Sequence, residues 1–270
     1  MNNDRIQEIL DLMEEARLDY FLISDPQSIA YCTGYYNDPH ERMFVFMVSK
    51  HGNHTLFMND LFYLEHDLGV NIVWHKDGQD AIQTIVNEMH FPGRIGIDKN
   101  WASHFLLDLM KKLPNAKYIN ASPCVDLVRM KKDLQEQVLM IESSKINDAV
   151  MEEIIPFIQE GVSEKQLAKK LDELFFNHLL QRFRIKFPFG KNAADPHHEN
   201  DDTLLRKGNC VLIDMGCVYK GYCSDMTRTF FYGGIREDEM KVYEIVKKAN
   251  EAAEAMIKPG VRLCDIDKCA

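Results

Sequence analysis

The chain has 270 residues, 46% of them hydrophobic and 27% charged, with a formal net charge of −10. This is globular composition, and the acidic balance argues against a nucleic-acid partner, which would call for a basic stripe. No apolar run approaches the roughly 20 residues that span a bilayer, and Asp4 and Glu8 stand where a signal peptide carries basic and then apolar residues, so a cytoplasmic protein without membrane contact is expected.

The first 20 residues read as an amphipathic helix with Ile6, Ile9, Leu10 and Met13 on one face. Strand patterns follow as DYFLISD (19–25), MFVFMVSK (43–50), HTLFMND (54–60), NIVWHK (71–76), RIGIDK (94–99) and AKYINA (116–121). Helical patterns at 80–89 and 103–113 separate several of them. Strands interleaved with helices predict an α/β domain around a mixed sheet. There is no Gly-rich phosphate loop, because Gly93 and Gly96 lack a third glycine and open a strand. Pro123 and the basic cluster after it, in NASPCVDLVRMKKD (120–133), mark a boundary, giving domains at 1–124 and 125–270.

The second half begins with a long helical pattern over 134–161, interrupted by Pro156 and stopped by Gly161. Ser163 and Gln166 form a capping-box signature for another helix, which runs through LAKKLDELFFNHLL to residue 180. The strand FRIKFPFG (183–190) leads to a loop and then to VLIDMGCVYKGYCSDMTRTFF (211–231), two β-branched and aromatic runs about the polar break YKG, which read as a hairpin. A charged helix over 236–257 and a KPGV turn precede a further helix start. The chain then stops at Ala270 with no cap, glycine or polar tail, as a cut chain would.

The hairpin carries Asp214 in its first arm and Asp225 in its second. Folded about Tyr219 and Lys220 the two aspartates lie opposite each other, and folded about Lys220 and Gly221 they are diagonal neighbours. They share a face in both registers, because strand side chains alternate with period two. Like charges across a strand pair destabilise it. A shared proton, a cation between them, or exposure to water would each relieve the conflict. VLIDMG is nearly continuous apolar sequence, so Asp214 is expected in or near a core, where an unpaired carboxylate costs several kcal/mol. A divalent metal removes both penalties, and two metals roughly 3.5–4 Å apart would activate water and polarise a carbonyl. Carboxylate ligands suit manganese, or zinc and cobalt if imidazole joins. The imidazole candidates are His197 and His198 in the loop GKNAADPHHEN, and adjacent loop histidines point in different directions, so at most one faces the same cleft. The seven cysteines are odd in number, scattered and without CxxC spacing. Cys217 and Cys223 flank the turn, but small buried side chains in a reducing compartment are the simpler reading.

FGKNAADPHH, VLIDMG and CSDMTRTF, in that order and spacing, resemble the pita-bread metallopeptidases, and among them the prolidases and aminopeptidases P. The N-terminal half is similar to the creatinase-type domain of that branch, through LDYFLISDP and IAYCTGY. The resemblance implies an α/β N-terminal domain followed by the first part of a pita-bread catalytic domain. It also implies a homodimer that hydrolyses Xaa-Pro bonds of proline-containing peptides with a hydroxide held by two divalent metal ions, Mn2+ or else Co2+ or Zn2+. By the resemblance Asp225 bridges the metals, Asp214 binds one of them, His197 faces the substrate, and Thr227 supports the site by hydrogen bonding. The family's remaining ligands, a histidine and two glutamates, belong further downstream. These 270 residues alone are therefore expected to be inactive and to form the first part of a longer polypeptide. The alternatives are a non-catalytic peptide-binding relative, a metal-free creatinase-like hydrolase, and a hairpin in which Asp214 merely caps backbone amides.

Overall fold

A computed structural model of the chain describes residues 1–90, 92–178 and 181–270, with residues 181–184 described by backbone alone. It divides into two compact units, Met1–Lys131 and Lys132–Ala270. The first reaches beyond the Cys124 boundary read from sequence, because Cys124, Val125 and Val128 are buried in its core.

In the first unit a six-stranded mixed sheet has the order β4-β3-β2-β1-β5-β6 among the described residues. Its strands are β1 (Tyr20–Ile23), β2 (Val45–Ser49), β3 (Thr55–Asn59), β4 (Asn71–His75), β5 (Arg94–Ile97) and β6 (Lys117–Asn120). β1 is antiparallel to β2 and parallel to β5. Every residue of β1, β2 and β3 is buried, as expected when helices cover both faces of a sheet. Phe21, Ile23, Phe46 and Val48 pack with Ile6, Ile9 and Met13 of α1 (Asn3–Glu15), Ile29 of α2 (Pro26–Thr33), and Val125 and Val128 of α5 (Ser122–Met130). Tyr20, Leu22, Val45 and Met47 face the other way, onto Ile82 and Ile85 of α3 (Ala81–Glu88) and Leu109 of α4 (Ser103–Lys112). Each fully buried aromatic or aliphatic side chain contributes roughly 1.5–3 kcal/mol.

The sequence reading did not mark α2 or α5 as helices. Their signals are local: Asp25 caps α2 by accepting from the Ser28 amide at 2.9 Å, Pro26 opens it, and Gly34 closes it at φ 80°. In α5 the corresponding sign is a proline at the start followed by Val125 and Val128 three apart.

The second unit is built on a smaller sheet, order β10-β8-β7 with β9 beside β8 among the described residues. The strands are β7 (Gln181–Lys186), β8 (Cys210–Tyr219), β9 (Tyr222–Cys223) and β10 (Met226–Phe231). Val211, Ile213, Met215 and Cys217 of β8 are fully buried, against Val150 and Ile154 of α6 (Leu134–Ile154) and Leu167 and Leu171 of α7 (Glu164–Asn177). α6 breaks into a 3-10 turn at Ile155–Phe157, as Pro156 requires. Ser163 and Gln166 form the anticipated capping box of α7. α7 stops at Asn177, and Leu179 and Leu180, at the end of the expected helix, lie outside the described residues. α8 (Glu237–Met256) and α9 (Leu263–Cys269) complete the chain.

The hairpin turns at Lys220 and Gly221, which both have positive φ, 47° and 85°. Two successive positive values make a two-residue hairpin turn whose twist matches its strands. Lys220 carries the steric cost that a residue with a Cβ incurs in this region. Lys220→Asn is therefore expected to stabilise the second unit by up to about 1 kcal/mol, seen as a higher urea midpoint; an unchanged or lower midpoint would contradict the assigned turn.

Candidate functional site

The turn selects the second of the two registers. Val218 pairs with Cys223 beyond it, and Met215 pairs with Met226 further on. The ladder between them is broken at Ser224 and Asp225, yet the register is unchanged, because the Ser224 amide donates to the Cys217 carbonyl at 3.0 Å. Ser224 is buried, with its Oγ 3.2 Å from Cys217 Sγ. Asp225 is thereby held level with Gly216, one diagonal step from Asp214 on the same face.

Asp214 itself lies between Lys186 of β7 and Thr227 of β10, its direct cross-strand partners. Lys186, Asp214 and Thr227 form a row across the sheet, on the face opposite the Ile213 and Met215 core. Thr227 Oγ1 donates to Asp214 Oδ1 at 3.1 Å, the supporting role anticipated for it. The expectation that Asp214 is in or near a core is corrected in one respect. The apolar neighbours alternate into the core while Asp214 points the other way and is half-buried, and Asp225 is exposed. The pleat separates the cysteines as well: Cys217 is buried, Cys223 is exposed opposite Val218, and both thiols are free. Burial raises the Cys223 thiol pKa, with Cys217 and Asp225 adding to the effect, which disfavours a nucleophilic thiolate there.

The histidines part as expected. His198 turns inward and its Nε2 donates to Glu164 Oε2 at 2.7 Å, whereas His197 is exposed. The His197 amide donates to Asp195 Oδ1 at 2.9 Å, and its carbonyl accepts from Lys186 Nζ at 3.4 Å. Lys186 Nζ also pairs with the Glu199 carboxylate. The lysine beside Asp214 thus ties the His197 turn to the carboxylate face.

Sequence reasoning missed Glu164, the first residue of α7, whose side chain is completely buried. Its Oε1 accepts from the Phe189 amide (2.8 Å) and Asn192 Nδ2 (2.9 Å), and its Oε2 from His198 and the Asp201 amide (3.0 Å). All four donors belong to the loop that bears His197, and the helix N-terminus favours the negative charge. Glu164, His198 and Asp201 offer ligand atoms within 4.8 Å of one another. Both Glu164 oxygens are already engaged, however, and a cation there would displace those donors, so the cluster is a hydrogen-bonded latch. Asp201 is held below the usual carboxylate range by hydrogen bonds from the Thr203 side chain and amide.

Residues 138–270 match metallopeptidase family M24, and residues 5–131 match the creatinase/prolidase N-terminal domain. A dipeptidase structure from Pyrococcus horikoshii is 31% identical with a TM-score of 0.87, over 98% of this chain and 76% of that one. The chain belongs to metallopeptidase family M24.

Two further matches have a similar extent. An Xaa-Pro dipeptidase structure from Bacillus anthracis is 25% identical with a TM-score of 0.87, covering 98% of this chain and 75% of its own. A Staphylococcus aureus protein named as an uncharacterized peptidase is 28% identical over 275 residues, 98% of this chain and 77% of its own length. The M24 match covers α7, the latch and the whole Lys186–Asp214–Thr227 row. No described helix is long and apolar enough to cross a membrane.

Glu164→Ala would leave three buried or half-buried donors without an acceptor and Asn192 Nδ2 with Thr203 Oγ1 alone. It is expected to destabilise the second unit by about 3 kcal/mol, measured by urea unfolding; a loss below about 1 kcal/mol would show that the latch is not the loop's anchor.

Proposed function

We propose that this M24 peptidase cleaves Xaa-Pro peptide bonds at the Asp214–Asp225 face, using divalent metal held in part by these two aspartates. The reading is carried by the register that puts the two carboxylates one diagonal step apart, on the face of β8 opposite the buried Ile213 and Met215. The creatinase/prolidase N-terminal match and the likeness to an Xaa-Pro dipeptidase support the choice of bond.

The donor set fits a divalent cation. Two carboxylates are hard oxygen ligands, they lie one diagonal step apart on one face, and they are open enough for a substrate to approach. They form one flank of a site, whose other donors would be water, substrate or further protein groups. Metal bound here would supply a Lewis acid for the scissile carbonyl and a water of lowered pKa. Manganese suits an all-oxygen set, and zinc or cobalt one that includes imidazole.

The protein's own groups have separate tasks. Thr227 fixes the Asp214 carboxylate by its hydrogen bond, so that the ligand need not be ordered when the cation arrives. The break at Ser224 and Asp225 frees Asp225 from the ladder while Cys217 holds its backbone in register. Gly216, level with Asp225, has no side chain to fill the space beside the carboxylates. His197 stands exposed on a loop that Glu164 and Lys186 anchor, and in this reading it would donate to a substrate carbonyl. The buried apolar surface of β8 makes this face rigid.

The test is metal-dependent hydrolysis of Ala-Pro against Ala-Ala, together with metal content after Mn2+ loading and dialysis. Wild-type protein is expected to retain Mn2+ and, when joined to the downstream histidine and glutamate ligands that the resemblance implies, to cleave Ala-Pro only with metal; Asp225→Asn is expected to lose on the order of 100-fold in metal affinity with its fold unchanged. Metal-independent cleavage, or equal Mn2+ retention by Asp225→Asn, would refute the proposal; peptide binding without metal uptake would favour the non-catalytic alternative.

A further inference from the structure

Asp77–Gly78 is the one place in the sequence where glycine follows an aspartate or asparagine. The pair lies in the turn that leaves β4, closed by the Gln79 amide on the Lys76 carbonyl at 3.1 Å, with Gly78 at φ 82°. A positive φ at the third residue of a turn calls for glycine. The same residue removes the Cβ that would hinder its amide nitrogen from reaching the side chain before it. Among the described residues the Gly78 amide donates no hydrogen bond, and the Asp77 side chain is 57% exposed. Nothing in the chain occupies the attacking nitrogen or keeps water from the carboxyl group.

What stands in the way is a clamp on the carboxylate. Arg42 Nε donates to Asp77 Oδ1 at 3.0 Å and Nη2 to Oδ2 at 2.8 Å, a bidentate pair. Asn59, buried at the end of β3, donates from Nδ2 to Oδ1 at 2.9 Å. Attack on the carboxyl carbon expels an oxygen as water and therefore needs the protonated acid. The Arg42 hydrogen bonds, with its charge and the Asn59 hydrogen bond behind them, hold Asp77 below the usual carboxylate range. The carboxyl group must also leave these donors before its carbon can meet the Gly78 nitrogen.

The clamp holds more than one side chain. Residues 34–42 join α2 to β2, and among the described residues the hydrogen bonds of 36–41 stay within that loop. The loop is tied down near its ends, by Tyr35 Oη on the Tyr63 carbonyl at 2.9 Å and by Arg42 on Asp77.

We propose that Asp77–Gly78 is a modification site, where aspartate isomerises to isoaspartate and so releases loop 34–42, and that Arg42 guards it. In the first step the Gly78 nitrogen loses its proton and bonds to the Asp77 side-chain carboxyl carbon, and one carboxyl oxygen leaves as water, closing a succinimide ring. Water then opens the ring. Addition at the side-chain carbonyl restores aspartate, and addition at the backbone carbonyl gives isoaspartate, whose main chain runs through the former side chain. Water is the only co-reactant, lost in one step and regained in the next. The isoaspartyl carboxylate is one carbon shorter in reach while the main chain is one carbon longer, so the pair with Arg42 is not reproduced.

The test ages the protein in neutral buffer and maps its peptides for an isoaspartyl form at 77, equal in mass but resistant to a protease that cuts before aspartate. Folded wild-type protein is expected to convert about tenfold more slowly than the same chain held in urea. Arg42→Met, with its fold checked by circular dichroism, should lose most of that protection. Arg42→Lys, which keeps the charge without the bidentate pair, should fall between them, and it carries the test if Arg42→Met does not fold. Hydrogen exchange of the 36–41 amides should be faster in the isoaspartyl fraction. Equal rates in folded and urea-unfolded wild type, or no conversion in either, overturn the proposal. So does conversion in the folded Arg42 variants as slow as in wild type, or unchanged exchange of 36–41 once isoaspartate has formed.

Discussion

The backbone at Lys220 and Gly221, with two positive φ angles in succession, allows one pairing of β8 with the strands that follow it. A slip of one residue would move Ile213 and Met215 out of the core and put Asp214 in their place. The α6 and α7 core therefore enforces the same register that the turn selects, and the hydrogen bond from Ser224 to Cys217 carries it across the break in the ladder. From this one constraint follow the diagonal placement of Asp214 and Asp225, the threonine beside one of them and the lysine on the other side. Two like charges on one face are unfavourable in isolation. That the core and turn both hold two hard oxygen donors one diagonal step apart is the physical reason to assign them a ligand.

A second device positions the loop that faces them. Burying a carboxylate costs several kcal/mol unless its lone pairs are used, and Glu164 uses them on four donors of one loop. The loop would otherwise be a long polar connection free to sample many conformations. Glu164 draws His198 inward, so that its neighbour His197 is left outside. Lys186 then joins this loop to the sheet through Glu199 and the His197 carbonyl. The helix start, the loop and the strand are thus coupled by charge as well as by the packing of Phe187, Phe189 and Leu205 into the core.

Most of the strands were readable from alternating or continuous apolar runs, since covering one face or both of a sheet leaves a direct imprint on composition. The capping box of α7 and the proline break after α6 were equally plain, being local chemistry. The hairpin left two registers open because the choice lies in backbone dihedrals, and a lysine at a positive-φ position does not announce itself as asparagine or glycine would. Glu164 was hidden for another reason: in sequence it is an ordinary acidic residue in a first helical turn, and its partners lie 25 to 37 positions away. Lys186 similarly reads as one polar residue in a strand until pairing sets it beside Asp214. The domain boundary moved because α5 closes the first core, where a proline and a basic cluster had suggested a linker.

The central claim is that the Asp214–Asp225 face, and not the Glu164 latch, receives the metal. Its most direct test is a Mn2+ titration followed by paramagnetic broadening of backbone amide NMR signals. The account predicts that the amides of Gly216, Asp225 and Thr227 broaden first while those of Glu164 and Asp201 stay sharp. Early broadening at Glu164 and Asp201, or none at Gly216 and Asp225, would contradict it.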